Sequence, residues 1–276
     1  MITPFGGRLA AAVSARGPLC VGIDPHASLL AQWGLPDSAE GLARFTDAVV
    51  EALAGSVAVL KPQMAFYERH GSRGLAALED GVARARAAGA LVLLDAKRGD
   101  IGSTMDAYAD YLRPGHPLHV DAMTVSPYLG PGSLQPAVDT ARAHGGGLFV
   151  LARTSNPDAG TLQLVGEPSV AQQVVDTVRG WNAGAPAGSF GVVVGATLSE
   201  LDVDLTELNG PVLAPGLGAQ GGSPEDLRRL FDAGTVVVPT VSRDVLAAGP
   251  DVAALRAAAE RWSAALAGEG PSSGVS

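Results

Sequence analysis

Short apolar runs recur along the chain at residues 19–24, 57–62, 90–97, 119–125, 147–153, 190–196, 211–216 and 235–240, each too short for a core helix. Within them apolar residues follow one another directly, as in Val92-Leu93-Leu94 and Val192-Val193-Val194. Such near-continuous apolarity marks strands buried on both faces, as in a parallel sheet covered by helices. The segments between and after them, 39–54, 72–88, 104–112, 132–143, 169–182, 198–208, 224–233 and 252–266, carry helical periodicity. Strict alternation of strand and helix is the pattern of consecutive βα units. Eight such units predict an α/β fold of the (β/α)8 TIM-barrel class, with a doubly wound open sheet as the alternative. Residues 5–15 predict an extra N-terminal helix, and 268–276, rich in Gly and Ser, a frayed tail. With no repeat, linker or compositional break, residues 1–276 read as a single domain.

Composition narrows the function classes. The 276 residues are 47% hydrophobic and 17% charged, with 36 Gly and 19 Pro making up about a fifth. That supports a sizeable core with many tight connections and stays below the level of low-complexity disorder. The net charge of −9 provides no general basic field for a nucleic-acid backbone or an anionic membrane. An anionic ligand must therefore be held by local groups. The single cysteine, Cys20, can form neither an internal disulfide nor a cysteine metal cluster, which suits a reducing cytoplasm. The N-terminus lacks the basic start and apolar run of a signal peptide, and no stretch approaches the ~20 uninterrupted apolar residues of a membrane span. The expectation is a soluble cytoplasmic protein.

In a barrel, polar residues at the C-terminal ends of strands mark the functional face. The first strand closes on Asp24 and the second on Lys61, while the third runs Leu-Leu-Asp95-Ala-Lys97-Arg-Gly-Asp100-Ile101. Asp95 and Lys97 are two apart on a strand, so both side chains are expected to point into the barrel mouth. Lys61 on the adjacent strand can then reach Asp95, giving a row of alternating charges in which each sign favours the ionised form of the other. A structural ion-pair network closing the barrel top is the plainer reading of the same residues. The Gly-rich stretch 215–222 follows the seventh strand and precedes a helix opening at Ser223-Pro224, and Ser242-Arg243 follows the eighth. Free backbone N–H groups, a helix N-terminus and a guanidinium together predict a phosphate site.

Other residues carry less. His119, Asp121 and nearby His116 include metal-ligand types, but packing of His119 against the helix layer is the simpler reading. Cys20 reads as a small buried apolar residue, and Met64, Phe66 and Tyr67 as packing. Thr154-Ser155-Asn156-Pro157 forms a loop whose polar groups sit on the functional rim.

The stretch Asp-Ala-Lys-Arg-Gly-Asp-Ile-Gly-Ser-Thr at 95–104 resembles the signature of the orotidine 5′-phosphate decarboxylase family. Lys61-Pro62-Gln63, Pro127-Tyr128-Leu129-Gly130, the 154–157 loop, 215–222 and Ser242-Arg243 follow in the family's order, most like its longer bacterial branch. The resemblance implies a homodimeric barrel that converts orotidine 5′-phosphate to UMP and CO2, the last step of pyrimidine nucleotide synthesis, without metal or organic cofactor. It further implies that Lys61, Asp95, Lys97 and Asp100 form the catalytic row, with Asp100, Ile101 and Thr104 contributed to the neighbouring subunit's site. Asp24 would hold ribose hydroxyls, Ser155 would contact the pyrimidine, and Gln220 and Arg243 would grip phosphate. Ser242 departs from the family, many of whose members have Gly before the Arg. Related metal-dependent sugar-phosphate decarboxylases and aldolases carry a similar Asp-x-Lys-x-x-Asp row but an acidic second-strand ligand, a position held here by Lys61. A phosphate sensor on a dead barrel would have no use for Lys97 between two carboxylates.

Overall fold

A computed structural model describes residues 2–268; residues 269–276, most of the expected tail, lie outside the described residues. The strands are β1 (Cys20–Ile23), β2 (Val59–Pro62), β3 (Leu91–Arg98), β4 (Ala122–Val125), β5 (Gly147–Arg153), β6 (Phe190–Val194), β7 (Val212–Pro215) and β8 (Val237–Val241). Each pairs in parallel with the next and β8 returns to β1, so the sheet closes into an eight-stranded barrel. The open-sheet alternative is thereby excluded.

Helix α1 (Phe5–Arg16) precedes the barrel. The connections carry α2 (Ala27–Gln32) and α3 (Ala39–Leu53), α4 (Met64–Glu68) and α5 (Gly71–Ala87), α6 (Gly102–Ala109), α7 (Gln135–His144), and α8 (Gly160–Gln163) with α9 (Val170–Trp181). Helix α10 (Pro224–Leu230) lies between β7 and β8, and α11 (Arg243–Leu246) and α12 (Val252–Ala267) complete the ring. The helix expected over 198–208 does not form. The Asp204 carboxylate accepts the Thr206 N–H at 2.8 Å, and Glu207 and Asn209 take left-handed φ values of 59° and 46°. Short polar side chains that bond their own backbone compete with helix, and here they win. The segment is pinned from outside, by Arg153 on Asp202 and by Gln172, whose side chain accepts the Asp204 N–H.

Two apolar layers follow from strand alternation. Val21, Leu60, Val92, Met123, Val150, Val192 and Val212 face the helices, whereas Cys20, Val59, Leu93, Ala122, Phe149, Val193, Leu213 and Val238 fill the lumen. Helix α1 closes the floor of that lumen with Phe5, Leu9 and Ala12, and Phe5 meets Phe149 edge-on with ring centroids 6.0 Å apart. Full burial of a Phe or Leu is worth roughly 1.5–3 kcal/mol, so the amphipathic face of α1 is held as part of the core.

Candidate active site

Following the lumen-facing parity of β1, β2, β3, β4 and β8 upward turns apolar residues into polar ones. Cys20 leads to Asp24, Val59 to Lys61, Leu93 to Asp95, Ala122 to Thr124, and Val238 to Thr240 and Ser242. All of these polar residues line one cavity of about 460 Å³ at the barrel mouth, together with Gln63, Lys97, Gln220 and Arg243. That volume suits a ligand of nucleotide size. Gly22 is required here: a Cβ on it would lie 2.9 Å from the Ser242 Cβ and 3.0 Å from the Asp24 carboxylate. Its absence lets Asp24 and Ser242 approach across β1, and both the Asp24 Oδ1 and the Ser242 Oγ are buried without a hydrogen-bond partner. Buried polar atoms are normally satisfied, so these two are donors and acceptors held for something that enters the cavity.

Asp95 is the hub of the cavity. Its Oδ2 accepts from Lys61 Nζ at 3.1 Å and its Oδ1 from Lys97 Nζ at 2.7 Å and Thr124 Oγ1 at 2.9 Å. Burial pushes the Asp95 carboxyl up, but the charges of Lys61 and Lys97 outweigh it and hold the group well below the usual carboxylate range. Burial likewise pushes Lys61 down, and Asp95 and Asp24 more than offset it, keeping its ammonium above the ordinary lysine value. Lys61 is 5% exposed and fixed, whereas the Lys97 side chain is 48% exposed and opens onto the cavity. Cys20 lies deeper on β1, where burial raises its thiol to about 12 and leaves it a protonated, unreactive filler.

The convergence of Asp95 and Lys97 does not come from regular alternation. Lys97 has a left-handed φ of 49°, and the β3–β4 register shifts between Leu94 and Arg98. A bulge, absent from the sequence reading, re-aims the side chain. The same reading missed Thr124 and Thr240, although both stand on lumen parity at strand ends.

The corner expected to hold phosphate is assembled from the loop after β7 and the start of α11. Pro215, Gly216, Leu217, Ala219 and Gln220 line the cavity beside Arg243. Gly218, at φ 69°, has no room for a side chain, because a Cβ would lie 2.3 Å from the Asp244 carboxylate. Arg243 is exposed and enters no ion pair among the described residues. The N-terminus of α10 contributes less than the sequence suggests: Ser223 and Asp226 form a capping box that occupies each other's N–H groups, and neither lines the cavity.

Four expected site residues stand apart. Asp100 lies past the end of β3, where its Oδ1 accepts the Ile101 N–H at 2.8 Å, and it does not line the cavity. Ile101 and Thr104 are exposed at the start of α6. Ser155 is exposed, packs against Gly195 and is likewise outside the cavity lining.

The residues weighed as metal ligands are committed elsewhere. His119 is not in β4 but just before it, at the opposite end of the barrel, with Nδ1 2.9 Å from an Arg86 nitrogen. Asp121 takes Arg8, Arg86 and the Val92 N–H, so two guanidiniums occupy the place a cation would need. Among the described residues no group of three or more His, Cys, Asp or Glu is placed to hold a metal. A larger cavity of about 560 Å³ at that end is lined by Asp204, Glu207 and Asp232 and by no cation. An anion belongs at the mouth.

Comparison with known proteins identifies the family. A family model described as "Orotidine 5'-phosphate decarboxylase / HUMPS family" matches residues 17–258. The chain belongs to that family. Within the orotidine 5′-phosphate decarboxylase / HUMPS family, the chain is 62% identical to the orotidine 5′-phosphate decarboxylase of Salinispora arenicola over 263 residues, covering 93% of this chain and 95% of the relative. It is also 62% identical to that of Streptomyces coelicolor over 265 residues, covering 94% and 95%. A crystal structure of a Streptomyces avermitilis protein superposes with TM-score 0.93 at 59% identity, over 97% of this chain and 96% of that one. The OMP decarboxylase of Leishmania donovani matches at TM-score 0.74 and 32% identity, over 97% and 99%.

Proposed function

We infer that this chain is an orotidine 5′-phosphate decarboxylase, a carboxy-lyase that forms UMP and CO2 in pyrimidine biosynthesis, and that Lys97 is its proton donor. The observation that carries the mechanism is the half-exposed Lys97 ammonium at the cavity wall, 2.7 Å from a carboxylate that Lys61 fixes from the other side. Loss of CO2 breaks the bond to C6 of the pyrimidine and leaves its electron pair in an sp2 orbital with no adjacent electron sink. The protein must stabilise that charge and deliver a proton. The Lys97 ammonium does both: it faces the developing carbanion, transfers a proton to C6, and is reprotonated from solvent. Asp95 orients it and Lys61 holds Asp95. Arg243, Gln220 and the loop after β7 grip the phosphate, Asp24 takes ribose hydroxyls, and the phosphate contacts supply binding energy remote from the reacting carbon. Ser155, on the loop after β5, serves as the pyrimidine contact.

The working unit of this reading is a cytoplasmic homodimer with shared sites and a single barrel domain per chain. Asp100 sits at the rim, and Ile101, Tyr128 and Leu129 expose large apolar surfaces on the loops after the adjacent strands β3 and β4, where a second copy would cover them. Asp100, Ile101 and Thr104 then enter the neighbouring cavity, and Asp100 completes the row. The test is an ultraviolet assay for loss of orotidine 5′-phosphate, run with and without chelator, on wild type and on mixed dimers of Lys97→Ala and Asp100→Ala. Turnover independent of chelator is expected; loss restored by magnesium would favour the aldolase-like branch. Each variant alone is expected to be inactive. Random exchange makes half the dimers mixed, each with one intact site of two, so recovery of roughly a quarter of wild-type activity is expected. No recovery in verified mixed dimers would place Asp100 within its own chain.

A further inference from the structure

We propose that Thr124 is a positioning residue for decarboxylation, its hydroxyl locking the β3 bulge that aims Lys97 while holding Asp95 between the two lysines. This rests on Lys97 being the proton donor. Thr124 is 1% exposed on β4 and lines the mouth cavity. Its Oγ1 lies 2.9 Å from the Lys97 backbone nitrogen and 2.9 Å from the Asp95 Oδ1. The geometry fixes the direction of both bonds. The Lys97 N–H can only donate, so it gives its proton to Oγ1; the ionised carboxylate can only accept, so the single hydroxyl proton of Thr124 goes to Asp95. One side chain thus ties the main chain of the reacting lysine to the carboxylate that orients its ammonium.

Such a tie is needed because the backbone there is not self-supporting. A left-handed conformation is sterically unfavourable for a non-glycine L-residue, and Lys97 adopts one, at φ 49°, where the β3–β4 ladder has slipped. Relaxing the bulge would swing the Lys97 stem away from the mouth, and displacement of a catalytic group by about 1 Å costs on the order of 100-fold in rate. Asp24, Gln220 and Arg243, the residues assigned to ribose and phosphate, follow β1, β7 and β8 and do not depend on the bulge, so the effect should fall on turnover and spare binding.

Thr124→Val keeps the shape and removes both hydrogen bonds, while Thr124→Ser keeps the hydroxyl and removes the methyl. The measurements are kcat and KM for orotidine 5′-phosphate and the affinity for UMP, with Lys97→Ala assayed alongside. Thr124→Val should lower kcat by about 30–100-fold with KM and UMP affinity within about threefold, and Thr124→Ser should restore kcat to within about fivefold of wild type. If Thr124→Val does not fold, Thr124→Ala carries the same thresholds. The proposal falls if the hydroxyl-free variant keeps kcat within about threefold, or if serine loses as much as valine, which would assign the effect to methyl packing. If instead Lys97→Ala turns over within about tenfold of wild type, the underlying reading of Lys97 fails, whatever Thr124 does.

Discussion

Two carboxylates, Asp95 at the barrel mouth and Asp121 at its floor, are built to the same plan and put to opposite uses. Each is nearly buried and each receives two cationic side chains: Lys61 and Lys97 on Asp95, Arg8 and Arg86 on Asp121. The difference lies in what the cations have left over. Arg8 also donates to the Gly145 carbonyl at 2.8 Å and Arg86 engages His119, so the planar guanidiniums are spent on several partners at once and clamp α1, α5 and the approach to β4 together. Lys97 spends one donor on Asp95 and presents the rest of its ammonium to the cavity. Around it the Asp24 and Ser242 oxygens are unpartnered, whereas the Asp121 oxygens both have donors. A satisfied buried network serves rigidity, and an incompletely satisfied one at a strand C-terminus serves a ligand.

The sharpest way to break this comparison is at Lys97. Lys97→Ala should lower kcat by more than about 1,000-fold, over 4 kcal/mol of barrier, because it removes both the charge facing the carbanion and the proton. Its half-exposed side chain carries little of the core, so unfolding in urea should shift by less than about 1 kcal/mol. Residual turnover within about tenfold of wild type would remove Lys97 from the donor role.

At the floor the signs should reverse. Asp121→Ala leaves Arg8 and Arg86 without their shared anion and the buried Val92 N–H without an acceptor. Both guanidiniums are about a third exposed and recover some hydration, so a loss of about 2–4 kcal/mol in unfolding free energy is expected. The kcat of the folded fraction should stay within about twofold. A variant of wild-type stability, or one stable but inactive, would dissolve the distinction between the two clusters.

Much of this was legible in the sequence because apolar continuity and strand-helix alternation are properties of local composition. All eight strands and the charged strand ends Asp24, Lys61 and Asp95 are readable that way. The helix over 198–208 misled because its apolar spacing is helical, and the bond from the Thr206 N–H to Asp204, the left-handed Glu207 and Asn209 and the contacts of Arg153 and Gln172 undo it. Thr124 could have been found by extending the lumen parity of β4 past Ala122, since a threonine at a strand end looks ordinary until the register places it beside Asp95. The Lys97 bulge left no sequence mark: left-handed backbone is signalled by glycine or asparagine, and here a lysine is forced into it by its neighbours. Whether Asp100 acts across a subunit boundary is a property of two chains, which one chain's pattern cannot encode.

The smallest expected effect is that of pH, and it sharpens the comparison by testing the mouth pair alone. Asp95 is held below its ordinary value, so its stabilising contribution is fully present above the unfolded pKa of about 3.9 and is lost only as pH falls through the lower folded value. Lys61 is held above its ordinary value, so its contribution is present below about 10.4 and is lost as pH rises through the higher folded value. Between about pH 5 and 9 neither titrates, and unfolding free energy should show no step from the pair. Asp95→Asn removes the larger of the two carboxylate attractions on Lys61 and leaves the burial that opposes its charge, with Asp24 as the remaining carboxylate beside it. The Lys61 ammonium should then lose its proton at lower pH than in wild type, which NMR of labelled lysine side chains measures directly. An unchanged Lys61 titration in Asp95→Asn would mean that Asp24 alone holds the charge, and that Asp95 is not the hub of the mouth as Asp121 is of the floor.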